Sequence, residues 1–209
     1  MRTRSEIEGT AAVCDTVRAR RSIRAFLPLD VDEQLVWDLL ENALWAPSPH
    51  NTQPWRFCII QAPQRKHALA HEMAVRLETE LRADGLAVDV IERQTSRSRQ
   101  RIVSAPVLIL CSLVTDGLVL YPDPVRSTLE WQMAVQSVGA VLQTLFLLGH
   151  ESGLGSCWMA APMYCPDVVR HALDLPEEHQ PQALVLMGYP ASAARFRERR
   201  NVDEMVIWR

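Results

Sequence analysis

The sequence predicts an α+β fold, and two observations carry the prediction. Helical periodicity fills most of the chain, at about residues 11–20, 31–46, 64–83 and 131–149, and short apolar runs of strand character stand between, at 57–60, 105–113, 157–159 and 183–187. Composition bounds the size. The 209 residues are 48% hydrophobic with only 8 Gly and 13 Pro, which is enough apolar material for a substantial core and predicts a single soluble domain over 1–209. A formal net charge of −3 with 22% charged residues lacks the basic excess of a nucleic-acid binder. No charged stretch followed by an apolar run opens the chain, so no secretory signal is expected and the expected location is cytoplasmic. The five cysteines, Cys14, Cys58, Cys111, Cys157 and Cys165, are odd in number and scattered without a C-x-x-C pair. They read as reduced, mostly buried thiols, with neither a disulfide framework nor a zinc site.

In chain order, the first helix shows Ala12, Val13 and Val17 as its apolar stripe and runs out at Arg20-Arg21-Ser22-Ile23-Arg24-Ala25-Phe26. Three guanidiniums and a hydroxyl in five residues suit a phosphate dianion, because guanidinium forks match phosphate oxygens. Local chemistry alone favours a solvated helix end that offsets the helix dipole. Asp30-Val31-Asp32-Glu33 then reads as a capping box, with Asp30 as cap, for a helix of about 31 to 46. Leu35, Val36, Leu39, Leu40, Ala43 and Leu44 form its core face, which leaves Trp37 and Trp45 without need of a functional explanation, and Pro47 is expected to end it. The loop Ala46-Pro47-Ser48-Pro49-His50-Asn51-Thr52-Gln53-Pro54 leads into the strand at Phe57–Ile60. Phosphate donors and an amide-rich loop, a helix apart, are what a flavin mononucleotide needs at its two ends.

Pro63 opens the next helix, which runs to Gly85. His67 and His71 lie four apart on it, but no third ligand stands with them, so no metal site is expected. Residues 86–102 read as a further helix whose arginines form a solvated face. Pro106-Val-Leu-Ile-Leu-Cys is the strongest strand, apolar enough for burial on both faces. Residues 114–126, with Gly117, Pro122 and Pro124, read as an irregular loop and a candidate lid.

From Trp131 to Gly149 no residue is charged, yet Gln132, Gln136, Gln143 and Thr144 are too polar for lipid and no second such segment exists, so no membrane span is expected. A helix buried nearly all round belongs in a core or a subunit contact. The contact is preferred, because Ala134, Gly139 and Ala140 allow close helix approach. Gly153-Leu154-Gly155-Ser156 lacks the third glycine of a dinucleotide loop and follows a helix. Cys157–Met159 is a short strand with a sharp exit, Asp167–Leu173 a short helix and Ala183–Met187 another strand. The tail carries Arg195, Arg197, Arg199 and Arg200, then the apolar Met205–Trp208, which is expected to dock on the body or on a second subunit.

No G-x-S-x-G elbow, Walker loop or H-E-x-x-H is present, which fits an enzyme whose chemistry belongs to a cofactor. Arg-Arg-Ser-x-Arg-x-Phe (20–26), Ala-Pro-Ser-x-x-Asn-x-Gln-Pro-Trp-x-Phe (46–57), Gly-Leu-Gly-Ser-x-Trp (153–158), Gly-Tyr-Pro (188–190) and the arginine-rich tail stand in this order. In these motifs the chain resembles the nitroreductase-like family of FMN-dependent NAD(P)H oxidoreductases, over nearly its whole length and least in 85–126.

The resemblance implies a nitroreductase-like fold: a small central mixed or antiparallel sheet flanked by helices, in an intertwined homodimer. It implies electron transfer from NAD(P)H through bound FMN to a nitroaromatic, quinone or ene compound, in ping-pong order. Carried over residue by residue, Arg20, Arg21, Ser22 and Arg24, with Arg197 or Arg199, should hold the phosphate and ribityl chain. Asn51 and Gln53 should meet the isoalloxazine edge, Pro47-Ser48-Pro49 should reach the flavin of the other subunit, and Ala161, Pro162 and Met163 should lie over the ring. Pro49 departs from the small residue usual there and removes a backbone N–H. Met163-Tyr164-Cys165 lacks the acid that some members carry. Within the family, Ala-Pro-Ser-Pro-His-Asn, Gly-Ser-Cys-Trp and Cys-Pro-Asp-Val-Val-Arg look most like the flavin-reductase-like domain of deazaflavin-coenzyme biosynthesis, which makes a deazaflavin-linked reductase the alternative. A further alternative is a flavin-binding dimer without turnover.

Overall fold

The computed structural model describes residues 8–193 and 197–209. Helices α1 (Glu8–Ala19) and α2 (Glu33–Ala43) precede strand β1 (Trp55–Ile60). Then come α3 (Pro63–Ala83), α4 (Val88–Ser104), β2 (Val107–Leu113) and α5 (Pro124–Glu151), followed by β3 (Gly155–Met159), α6 (Pro166–Ala172) and β4 (Gln180–Gly188). The strands form one sheet in the order β1-β2-β4-β3, and each neighbouring pair is antiparallel. The sheet is thus antiparallel, not mixed.

Coverage of both faces of the sheet explains why β2 and β4 are largely apolar, with Ser112 and Gln182 as their buried polar residues. Alternate residues Val107, Ile109, Cys111 and Leu113, with Ala183, Val185 and Met187, face a layer made by α2 and α5. Leu108, Leu110, Leu184 and Leu186 face the other way, onto Leu69 and Met73 of α3, Ile102 of α4 and Val169 of α6. A three-layer arrangement follows, with the sheet in the middle.

Several expectations move once the core is seen. The cap of α2 is Asp32, whose Oδ1 accepts the Gln34 N–H at 2.7 Å, and not Asp30. Val31 is buried in the core, which draws the chain into extended geometry until Asp32. The helix also ends at Ala43, before Pro47 requires it, as Trp45 and Ala46 turn back to bond the Asn42 and Ala43 carbonyls. Trp37, Leu44 and Trp45 lie outside the core face, with Trp45 88% exposed.

Helix α5 begins at Pro124, seven residues before the charge-free run. Asp123 caps it through the Arg126 N–H at 2.9 Å, and proline sits in the first turn, where its missing N–H costs nothing. Residues 124–126 therefore belong to a helix and not to the loop. The chain's own core takes one face of α5, Ala134, Ser137, Val138, Val141, Leu142, Leu145 and Phe146, against α2 and the sheet. By length and a mean hydropathy of 1.3 this helix could cross a membrane, but 44% of its apolar stretch is buried inside the chain itself. Its other flank, with Gln132, Gln136 and Gln143, is open.

Beyond α1 the chain runs along the outer edge of β3. Ser22 bridges Ser156 in parallel, Ile23 N–H donates to the Ser156 carbonyl at 2.9 Å, and Phe26 bridges Pro190. Gly155 makes the approach possible, since a Cβ there would stand 2.7 Å from Cβ and Cγ1 of Ile23 and 2.8 Å from Cγ2. Gly188 does the same beside Pro106, 2.6 Å from where its Cβ would be. After a short turn at Val202–Glu204 the tail ends with Met205, Val206, Ile207 and Trp208 exposed. It is not docked on the body of its own chain.

Gly155→Ala should lower unfolding free energy by about 1–3 kcal/mol, the usual cost of overpacking. Ile23→Ala in the same chain should return part of that loss by removing two of the three crowding atoms. Denaturant titration of both single variants and the double measures the coupling, and strictly additive losses would count against this contact.

Candidate functional site

The end of α1 and the tail build one cavity between them. Arg20, Arg21, Ser22 and Arg24 line it together with Ser192, Ala193, Arg197 and Arg199, around a volume of about 630 Å³. Among the described residues, no carboxylate stands in its wall. Arg20 still closes α1, its N–H bonding the Thr16 carbonyl at 2.9 Å, while its guanidinium lies 5.9 Å over the Phe146 ring. Its Nε is buried without a partner among the described residues. Burial, then the charges of Arg21 and Arg199, hold its pKa below the ordinary arginine value.

Several guanidinium contacts here go to backbone carbonyls. Arg21 Nη1 donates to the Arg18 carbonyl, and to that of Arg20 at 2.8 Å. Arg24 Nη1 reaches the Ser22 carbonyl at 3.4 Å, and Arg199 Nη1 that of Arg197 at 3.3 Å. Among the described residues, none of Arg20, Arg24, Arg197 and Arg199 is in an ion pair with a carboxylate. A solvated helix end does not explain why Arg197 and Arg199 return from the far end of the chain to the same hollow. An anion with several acceptor oxygens answers such a cluster, so the donor set fits a phosphate.

The loop before β1 is bent in an unusual way. His50, Asn51 and Gln53 hold positive φ of 52°, 54° and 46°, where non-glycine residues are uncommon. Ser48 Oγ accepts the Gln53 N–H at 3.0 Å, and Gln53 Nε2 reaches Asn51 Oδ1 at 3.3 Å, so the loop is held in this shape by its own side chains. Such local strain gathers at functional sites. Gln53 faces a separate cavity of about 460 Å³ with Trp37, Leu44 and Arg56, while Pro47 and Asn51 are exposed.

The third expected group forms a single 3-10 turn, Ala161–Tyr164, at the exit of β3. Pro162 is buried and Ala161 half-buried. Met163 is 51% exposed and lines a cavity of about 650 Å³ with Trp131, Val135 and Gln136 of α5 and Gln180 of β4. The expected residues therefore lie on three surfaces of one chain. The structure brings Arg20, Arg21, Ser22, Arg24, Arg197 and Arg199 together; it does not bring Gln53 or Met163 into their cavity.

Sequence reasoning missed Gly155 as the residue that seats the arginine segment, and Glu130 on the buried face of α5. The available signal for Glu130 was its helical spacing to Ala134, Ser137 and Val141. Burial pushes the thiols of Cys58, Cys111 and Cys157 up, and that of Cys165 from 9.0 to about 11. None is set up as a nucleophile. His67 and His71 are exposed, and no group of three or more potential metal ligands occurs among the described residues.

An antiparallel sheet between helical layers, with an arginine cavity at its edge, defines an α+β protein equipped to hold an anionic ligand. The nitroreductase family profile matches residues 17–189, and the chain belongs to that family. It is an oxidoreductase of the nitroreductase kind and has the nitroreductase-like fold. A Thermus thermophilus protein named NADH dehydrogenase is 30% identical across 97% of this chain and all of its own length. A Bacillus subtilis protein carrying the name NAD(P)H nitroreductase is 25% identical over 95% of each chain. A Desulfovibrio desulfuricans structure, described as a nitroreductase in complex with FMN, superposes with a TM-score of 0.73. It is 26% identical and covers 94% of this chain and 96% of its own.

Because like charges crowd the cavity, inorganic phosphate should raise the melting temperature of flavin-free protein at constant ionic strength, as any ligand of the folded state does. Arg199→Ala should shrink that rise. A thermal melt with phosphate against chloride checks it, and equal melting temperatures would remove the cavity as a phosphate site.

Proposed function

We propose that this protein is a cytoplasmic FMN-dependent oxidoreductase, a homodimer with one domain over 1–209 in each chain. It takes electrons from NAD(P)H and delivers them to a small organic acceptor such as a nitroaromatic, quinone or ene compound. Donor and acceptor use one site in turn, which is a ping-pong order. The observation that carries this reading is the convergence of guanidiniums from both ends of the chain on one cavity whose described lining holds no carboxylate. The relative solved with FMN supports the choice of cofactor, and the relatives named for NADH and NAD(P)H support the choice of donor.

FMN supplies hydride acceptance and donation when bound, and the chain's residues bind and orient it. Arg20, Arg21, Ser22, Arg24, Arg197 and Arg199 hold the phosphate and ribityl chain. Asn51 and Gln53 offer amide donors and acceptors to the edge of the ring system, in a loop already bent to present them. Pro47 and Ser48 belong to the same loop, which reaches the flavin of the second subunit. Ala161, Pro162 and Met163 form an apolar turn that covers the ring and keeps water from it. Two chains bring together what one chain keeps on separate surfaces, and the exposed Met205–Trp208 tail and open flank of α5 are the surfaces available for that contact.

Purified protein should be yellow, release FMN on denaturation and oxidise NADH or NADPH when a nitroaromatic or quinone is added. A deazaflavin identified by mass spectrometry in place of FMN, with neither nicotinamide oxidised, would overturn the reading. Arg20→Ala should weaken FMN binding by about 1.5–3 kcal/mol, the range for a hydrogen bond to a charged group. Fluorescence titration of FMN into the stripped variant gives the number, and unchanged affinity would take Arg20 out of the site.

A further inference from the structure

The guanidiniums around the arginine cavity are tethered in two ways. Arg21, Arg24 and Arg199 each give an Nη1 N–H to a backbone carbonyl. Arg20 gives none. Among the described residues no hydrogen bond holds its side chain, and its guanidinium carbon stands 5.9 Å from the centroid of the Phe146 ring. This side chain is placed against electrostatics, since burial strips it of water and the charges of Arg21 and Arg199 bear on it. Without an opposing attraction, a flexible arginine in that field turns out toward solvent.

Phe146 supplies the attraction. It is 5% exposed and packed in the core with Leu142 and Leu145, so its ring cannot follow the side chain outward. The negative face of an aromatic ring attracts a cation within about 6 Å of its centroid, and arginine is the more frequent partner. In one respect this contact differs from a carbonyl tether: it takes up no N–H. Of the three guanidinium nitrogens only Nε is both buried and without a partner, so the two Nη groups keep their access to solvent. Arg20 lines the cavity with both of those donors uncommitted, which is the fork that phosphate oxygens match.

We propose that Phe146 is a positioning residue for the flavin phosphate: its ring holds the Arg20 guanidinium at the cavity wall without occupying any of its N–H donors. The inference deepens the function proposed above and rests on it for the identity of the anion as the phosphate of FMN. Phe146 itself meets no ligand and acts through Arg20, so its influence is confined to the anionic end of the cofactor.

The test is fluorescence titration of FMN, and of riboflavin, which lacks the phosphate, into the full-length chain stripped of flavin. Phe146→Leu should weaken FMN about three- to tenfold, the scale of one partly desolvated cation–π contact, and leave riboflavin within about twofold. In an Arg20→Ala chain the same substitution should cost FMN less than about twofold, because the group it acts through is gone. Should Phe146→Leu fail to fold, 3,4,5-trifluorophenylalanine at position 146 keeps the ring and drains the charge from its face, and FMN should weaken while riboflavin does not. Equal losses for the two flavins, an unchanged FMN affinity, a loss that persists in full without Arg20, or a native chain that binds both flavins equally overturns the role. A native chain that binds neither flavin counts against the proposed function, and inorganic phosphate then decides the positioning. The fluorinated ring should cut the phosphate-induced rise in melting temperature to about half or less, and an unchanged rise, or none in the native chain, overturns it.

Discussion

The arginine cavity depends on one close contact, the seating of Ile23 against the bare Cα of Gly155. Residues 20–27 have no helix of their own, and only a few backbone bonds hold them to Ser156, Tyr189 and Ala191. A side chain at position 155 would push this segment off β3 and carry its guanidiniums with it. Alternation along extended chain then separates Ile23, which turns inward, from Ser22 and Arg24, which are exposed. The same edge receives the chain again after β4, where the Ala191 N–H bonds the Ala25 carbonyl at 3.0 Å. The tail starts from that point, so Arg197 and Arg199 enter the hollow opposite Arg20.

Much of the architecture was legible because it rests on periodicity. β2 and β4 are apolar at their buried positions except Ser112 and Gln182, and Gly85, at φ +75°, ends the turn after α3 as its type requires. What escaped were matters of competition between local signals and the core. Asp30 and Asp32 are equally good caps by chemistry, and only the burial of Val31 decides between them. Pro124 reads as a breaker and acts as the first residue of the longest helix, because Asp123 caps it.

The candidate site was legible in the same uneven way. Arg20, Arg21 and Arg24 announce themselves as a local cluster, whereas Arg197 and Arg199 join them only through the return of the chain. Gly153-Leu154-Gly155 shows that glycine is needed without showing which backbone passes over it. The lining of separate cavities by Arg20, Gln53 and Met163 could not be read from spacing at all, since it is a property of how three loops leave the sheet. Charge tells a parallel story: a side chain half hidden and surrounded by its own kind is held by geometry against electrostatics, and the chain spends some stability to do so.

Arg20 rests on the ring of Phe146, and the indole of Trp158 meets that ring edge-on, 6.2 Å away at 63°. The cation that closes α1 is thus backed by an aromatic pair drawn from α5 and β3, so the rings on one side fix where its charge can be met from the other.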